Sequence, residues 1–207
     1  MKRLWDISPP ISTESPLFPG DRAYEQQWTA SIGPGCPVNL SAITLSPHIG
    51  AHADAPLHYG VGEPTIGEVD LEPYLGRCRV IAALDPGPLV EPRHLEHAAR
   101  DLPPRVLVRT CERAPTRWSP EFSAFAPETI AWLASRGVRL VGIDSQSVDP
   151  ADSKELPSHR QLLQHGLRVL ENLVLDAVEA GDYELIALPL KLVQADASPV
   201  RAVLREL

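Results

Sequence analysis

The sequence predicts an α/β or α+β fold built on a mixed β-sheet and contained in one compact domain. Three observations carry this. Short apolar runs bounded by Gly and Pro recur along the chain and outnumber the helical segments with which they interleave. Proline accounts for 22 of 207 residues, about 11% and roughly twice ordinary usage. Proline is costly in helix interiors and central strands, so long bundles and coiled coils are poor candidates. A chain of 207 residues suits one domain, and such a chain buries roughly 70% of its unfolded surface without a disulfide or metal staple. The loop-like stretches at residues 8–20, 60–67 and 84–92 are too short to link domains, and no internal repeat is visible.

The elements follow in order. Residues 3–7 form a first candidate strand. Residues 38–46 form a better one, carrying Val38, Leu40, Ile43, Thr44 and Leu45. Residues 79–84 and 105–110 read as buried or half-buried strands, with a short candidate helix at 92–100 between them. Residues 127–136 make the clearest helix: Pro127 opens it, Glu128 sits in its first turn and Gly137 stops it. Residues 138–143 then read as a core strand. A third helix spans 158–165 and stops at Gly166. Residues 183–190 are strongly apolar and 200–207 alternate, giving the final strands.

Charge and cysteine usage narrow the function. The net charge is −8, with no Lys/Arg cluster, which argues against nucleic-acid or anionic-membrane partners. No apolar run approaches the ~20 residues of a membrane span. The opening Met1-Lys2-Arg3-Leu4-Trp5-Asp6 has positive charge but no apolar stretch behind it, and is not read as a signal peptide. Cys36, Cys78 and Cys111 are odd in number and far apart, which excludes a disulfide scaffold or a thiolate zinc ribbon. A reducing, cytoplasmic setting is expected. There is no G-x-S-x-G elbow, P-loop or G-x-G-x-x-G, so neither a serine hydrolase nor a nucleotide cofactor is indicated.

The most informative stretch is Pro47-His48-Ile49-Gly50-Ala51-His52-Ala53-Asp54-Ala55-Pro56-Leu57-His58. His48, His52, Asp54 and His58 all fall on even positions, so an extended chain points them to one face. Pro47, Gly50 and Pro56 disfavour a helix here, and Pro56 can end the strand before His58. Imidazoles and a carboxylate together suit Zn²⁺, Mn²⁺ or Fe²⁺. Gly50 leaves room between the first two histidines, and His58 is placed to shuttle a proton. His94, His97 and His165 read as ordinary helix-surface residues. His159 and Glu171 are further ligand candidates, twelve positions apart. One continuous helix would hold them ~18 Å apart and ~120° out of phase, so sharing a site requires a chain reversal near Gly166. A second reading takes His52, Asp54 and His159 as the H-x-D…H triad of an iron(II) oxygenase, with Arg168 binding a cosubstrate carboxylate. That reading leaves His48 and Glu171 without work.

The run from Ser46 to His58 resembles the H-x-G-x-H-x-D-x-P-x-H signature of the cyclase-family metal hydrolases. Within that family the chain is similar to the bacterial kynurenine formamidases. Leu4-Trp5-Asp6-Ile7-Ser8, Phe18-Pro19-Gly20-Asp21, Gly142-Ile143-Asp144 with Asp149-Pro150, and the stretches 184–191 and 197–202 extend the likeness over nearly the whole chain. The resemblance implies an α/β fold around a swivelling β/β/α core, a homodimer, and two Zn²⁺ per subunit, with Mn²⁺ as an alternative metal. It implies that His48, His52 and Asp54 hold one metal, that Asp54 and Glu171 bridge, and that His159 completes the second site. His58 becomes the general acid/base. Phe18 occupies a substrate-loop position that is often tryptophan in the family; it can stack on an aromatic substrate but donates no indole N–H. The implied reaction is hydrolysis of N-formyl-L-kynurenine to L-kynurenine and formate, in tryptophan degradation, with zinc-activated water as nucleophile. A relative acting on a cyclic amide such as isatin is the alternative, because the metal motif does not choose the substrate.

Overall fold

Residues 2–207 are described by the structure, a computed structural model; Met1, where the signal-peptide reading begins, lies outside the described residues. The strands are β1 (Leu4–Asp6), β2 (Glu25–Ala30), β3 (Leu40–Thr44), β4 (His52–Asp54), β5 (Leu75–Ala82), β6 (Leu89–Val90), β7 (Arg105–Arg109), β8 (Ala124–Phe125), β9 (Leu140–Ile143), β10 (Arg168–Glu171), β11 (Gly181–Ile186), β12 (Ala197–Pro199) and β13 (Val203–Arg205). The helices are α1 (Pro92–Leu95), α2 (Pro127–Ala134) and α3 (Pro157–His165), and short 3₁₀ turns lie at Pro56–His58, Glu72–Tyr74 and Glu96–Ala98.

Nine strands make one mixed sheet in the order β1-β13-β11-β5-β7-β9-β10-β4-β12. The centre, β5-β7-β9-β10, is parallel. Its strands are apolar on both faces, as parallel strands covered on both sides must be. Val106, Val108, Val141 and Val169 pack into the layer formed with Ile130, Leu133 and Leu162 of the helices. Leu107, Leu140 and Leu170 face the other way. There they meet Ala53 of β4 and Leu204 of β13, from opposite flanks of the sheet, so the sheet curls to cover its own second face. Gly142 lies where β7 and the segment after β10 close in; a Cβ there would sit 2.5 Å from Leu107 Cδ2.

The α/β expectation holds, and the differences have local causes. Residues 38–46 do contain a strand, but β3 pairs with β2 in a separate two-stranded ribbon rather than in the core. The polar run of β2 gave no alternation to read. The strand expected over 183–190 ends at Ile186: the Ala187 N–H still reaches the Tyr74 carbonyl in register, but Tyr74 already belongs to the 3₁₀ turn Glu72–Tyr74 before β5, and Pro189 has no N–H to donate. The helix expected over 92–100 is a four-residue α-turn followed by a 3₁₀ turn. There His94 Nδ1 accepts the Glu91 N–H, which gives that histidine a capping role.

Candidate metal centre

Strand β4 alternates as its sequence requires. Ala53 is in the curled core, so His52 and Asp54 point to the opposite side. The strand is paired on both edges, by β10 and by β12. The first pairing sets Glu171 directly opposite His52. The required reversal occurs at Gly166, which caps α3 with φ +65° and lets the chain return as β10. His159 reaches the cluster from α3.

The even-position argument therefore holds for His52 and Asp54 alone. His48 arrives from the turn before β4, and His58 from the 3₁₀ turn after it. Gly50 also differs from expectation. It sits at φ +66°, where a Cβ would meet Ile11 Cγ1 at 3.0 Å, and its carbonyl accepts a hydrogen bond from His52 Nδ1 at 2.9 Å. Its value is backbone conformation and carbonyl placement rather than clearance between imidazoles.

Asp54 is the hub. His48 Nδ1 lies 3.0 Å from its Oδ1, His52 Nε2 3.4 Å from its Oδ1, and His159 Nε2 3.5 Å from its Oδ2. Glu171 Oε2 is 3.3 Å from His52 Nε2, and its Oε1 is 3.7 Å from His159 Nε2. Two groups with metal-ligand spacing result, His48–Asp54–His58 and His52–Asp54–Glu171, and they share Asp54. His52 Nε2, His159 Nε2 and both Asp54 oxygens are buried without a well-formed hydrogen bond. Unsatisfied buried polar atoms are costly, and convergent ones of this kind fit divalent cations.

The outer contacts fix the ring orientations. His52 Nδ1–H goes to the Gly50 carbonyl. His159 Nδ1–H goes to Asp149 Oδ2 at 2.7 Å, and Asp149 also accepts the Ser158 and His159 N–H groups in the first turn of α3. Each Nε2 is thereby turned toward the cluster. In the sequence Asp149 stands out only as part of the Asp149-Pro150 segment, and Asp196, whose Oδ2 is 3.0 Å from His48 Nε2, gives no signal there. Phe18, half-exposed, stands edge-on to Trp118 and lines a cavity of about 280 Å³ with His48, His52, His58, His159 and Glu171. Arg168 does not line it.

Burial alone would lower the pKa of His52 and His159. The facing carboxylates outweigh it: Asp54 and Glu171 push His52 up to about 10, and Asp149 with Asp54 push His159 up to about 10. Asp54, opposed by burial but faced by the His159, His48 and His52 nitrogens, is held well below the usual carboxylate range. In the metal-free chain both histidines thus carry protons at neutral pH. Their contribution to stability is complete below the ordinary value of 6.5 and is lost as pH rises through about 10. A cation must displace those protons. Zinc uptake by chelator-stripped protein is expected to release about two protons at neutral pH and to weaken as pH falls. Calorimetry in buffers of different ionisation enthalpy checks this; a heat independent of buffer would contradict it.

Residues 5–150 match the family described as "Putative cyclase". The chain is 68% identical over 208 residues to kynurenine formamidase of Bordetella avium, with both chains covered completely. It is 66% identical over 206 residues to kynurenine formamidase of Delftia acidovorans, covering 100% of this chain and 99% of the other. Among solved structures, it is similar to a Bacillus stearothermophilus protein described as "predicted metal-dependent hydrolase", with a TM-score of 0.86, 27% identity and complete coverage of both chains. Isatin hydrolase A from Labrenzia aggregata gives a TM-score of 0.82 at 21% identity, covering 99% and 93%, a likeness of fold alone.

Proposed function

The chain belongs to the cyclase family, among its kynurenine formamidases, and from that premise we propose that it hydrolyses N-formyl-L-kynurenine to L-kynurenine and formate using two zinc ions per subunit. The observation that carries this reading is the buried Asp54 shared by two ligand groups whose His48, His52, Glu171 and more exposed His58 line one cavity with Phe18. His48, His52 and Asp54 would hold one ion, Asp54 and Glu171 would bridge, and His159 would complete the second site. When bound, the ions supply a water of pKa near ~7 and positive charge for the developing oxyanion.

The chain's own groups do the rest. Phe18 stacks on the aryl ring of the substrate and excludes water from that face. His58 takes the proton of the attacking water and returns it to the aniline nitrogen as the C–N bond breaks. Residues 1–207 act as one catalytic domain. The three cysteines are unpaired, which suits a reducing, cytoplasmic setting. Among the described residues no helix is long and apolar enough to cross a membrane.

Two rivals are less well supported. A cyclic-amide substrate would share the metal chemistry, but the relatives at 61–68% identity are kynurenine formamidases and the isatin hydrolases share the fold alone. The oxygenase reading needs His52, Asp54 and His159, yet His48 and Glu171 join the same cluster and Arg168 lies off the cavity. The deciding experiment is turnover of N-formyl-L-kynurenine with chelator and with zinc or manganese add-back. Isatin hydrolysis and 2-oxoglutarate-dependent oxygen uptake are assayed beside it. Chelator-sensitive hydrolysis restored by zinc is expected; metal-loaded protein without turnover would overturn the assignment.

The functional unit is proposed to be a homodimer. In the β2–β3 ribbon, Trp28, Leu40 and Ile43 are each 58% exposed, with Ile32 and Val38 also open beside them. An isolated two-stranded ribbon is marginal in water, and so many apolar side chains on one call for a covering surface. Replacing Trp28 and Ile43 together by Ser is expected to shift the protein from dimer to monomer in sedimentation velocity. An unchanged sedimentation coefficient would count against the ribbon as the interface.

A further inference from the structure

Asp196 stands immediately before β12, and main-chain pairing sets its place. Ala197 pairs with Asp54, and the Asp196 carbonyl accepts the Ala55 N–H at 2.8 Å. The carbonyl of that same Ala55 accepts the His58 N–H at 3.0 Å. One buried alanine therefore anchors both residues, although they are far apart in the chain. Across the gap, Asp196 Oδ2 is 3.4 Å from His58 Nδ1 and 3.0 Å from His48 Nε2. The His58 ring packs on His48, centroid to centroid 4.4 Å, with His159 at 5.8 Å.

We propose that Asp196 is a positioning residue for the acid–base step: its carboxylate accepts the His58 Nδ1–H and so holds the imidazole in the tautomer whose Nε2 is bare. The proposal rests on the reading of His58 as general acid/base. A neutral imidazole carries one N–H, and the nitrogen that carries it cannot act as the base. A carboxylate can only accept, so it selects the Nδ1–H form, and it stabilises the imidazolium formed when Nε2 is protonated.

The step balances. A water O–H bond breaks, its proton goes to Nε2, and its oxygen bonds to the formyl carbon. The C–N bond then breaks with its electron pair on the aniline nitrogen, which takes the proton from Nε2. The formic acid released gives up its own proton to solvent, and His58 ends as it began. The contact to His48 Nε2 is compatible with this, because it leaves His48 Nδ1, the atom facing Asp54, for an ion.

Leaving-group dependence tests the idea. An anilide nitrogen must be protonated to depart, whereas the phenolate of p-nitrophenyl formate leaves without a proton. In zinc-loaded Asp196→Asn, kcat for N-formyl-L-kynurenine is expected to fall by about 10²-fold or more, with KM within about two-fold and metal content unchanged. The loss on the ester should be at least about ten-fold smaller, and Asp196→Glu should recover part of the anilide rate. His58→Ala is measured alongside. If His58→Ala keeps full anilide turnover, the acid–base reading fails. If it loses turnover while Asp196→Asn matches wild type, the role of Asp196 fails. Equal losses on both substrates, or loss of metal, would make Asp196 a support for the metal ligands instead and would overturn the proposal. Wild-type protein inactive on both substrates would fail the functional reading itself.

Discussion

Asp54→Ala is expected to leave a folded protein with little bound metal and turnover reduced by at least about 10³-fold. No other carboxylate in the cluster faces so many nitrogens: His48, His52 and His159 all approach it, and both ligand groups include it. Removing it takes one ligand from each group and the negative charge that three imidazoles share. Their own contribution cannot compensate, because the elevated proton affinity of His52 depends first on Asp54 and then on Glu171. The fold should survive. The β4 main chain remains paired on both edges, and the side chain lies away from the curled core. Metal analysis by plasma emission, with circular dichroism to confirm folding, checks the result. Retention of two ions per chain would remove Asp54 from the bridging role.

The second large effect is the reverse in metal content. His58→Ala is expected to keep both ions and lose about 10²–10⁴-fold in kcat. Spacing alone would permit His58 as a ligand, since it groups with His48 and Asp54. Exposure separates it from them. Its side chain is 32% exposed, against 16% for His48 and 1–5% for Asp54, His52, His159 and Glu171. A ligand gains from exclusion of water, while a proton carrier must meet both substrate and solvent. Loss of one ion in His58→Ala would reassign it as a ligand.

The histidine run was legible because its chemistry is local. Ala51, Ala53 and Ala55 alternate with His52 and Asp54, and period two is all that a strand needs. The Gly166 reversal was equally readable, since a left-handed cap is a local event. Other features were hidden because partners far along the chain create them. Residues 168–171 are too short a run to announce a strand, and Glu171 gains its meaning by lying opposite His52. Asp196 is a single acid among small residues, and only the pairing of β12 with β4 brings it to His58. Phe18 was found through resemblance, but its edge-on partner Trp118, a hundred residues later, was not. The ribbon escaped because Glu25-Gln26-Gln27-Trp28 has no periodicity to detect.

The pairing of β4 also orders events during synthesis. Its two neighbours, β10 and β12, are translated more than a hundred residues after it, and β1 waits longer still for β13. Until then β4 and β1 are bare edges on the nascent chain, open to mispairing with other chains. Contacts this distant along the backbone make for slow closure of the sheet. The side chains from α3 and β10 meet β4 only when that closure occurs, so a metal held there as proposed would enter at the end of biogenesis and seal a finished sheet rather than nucleate one.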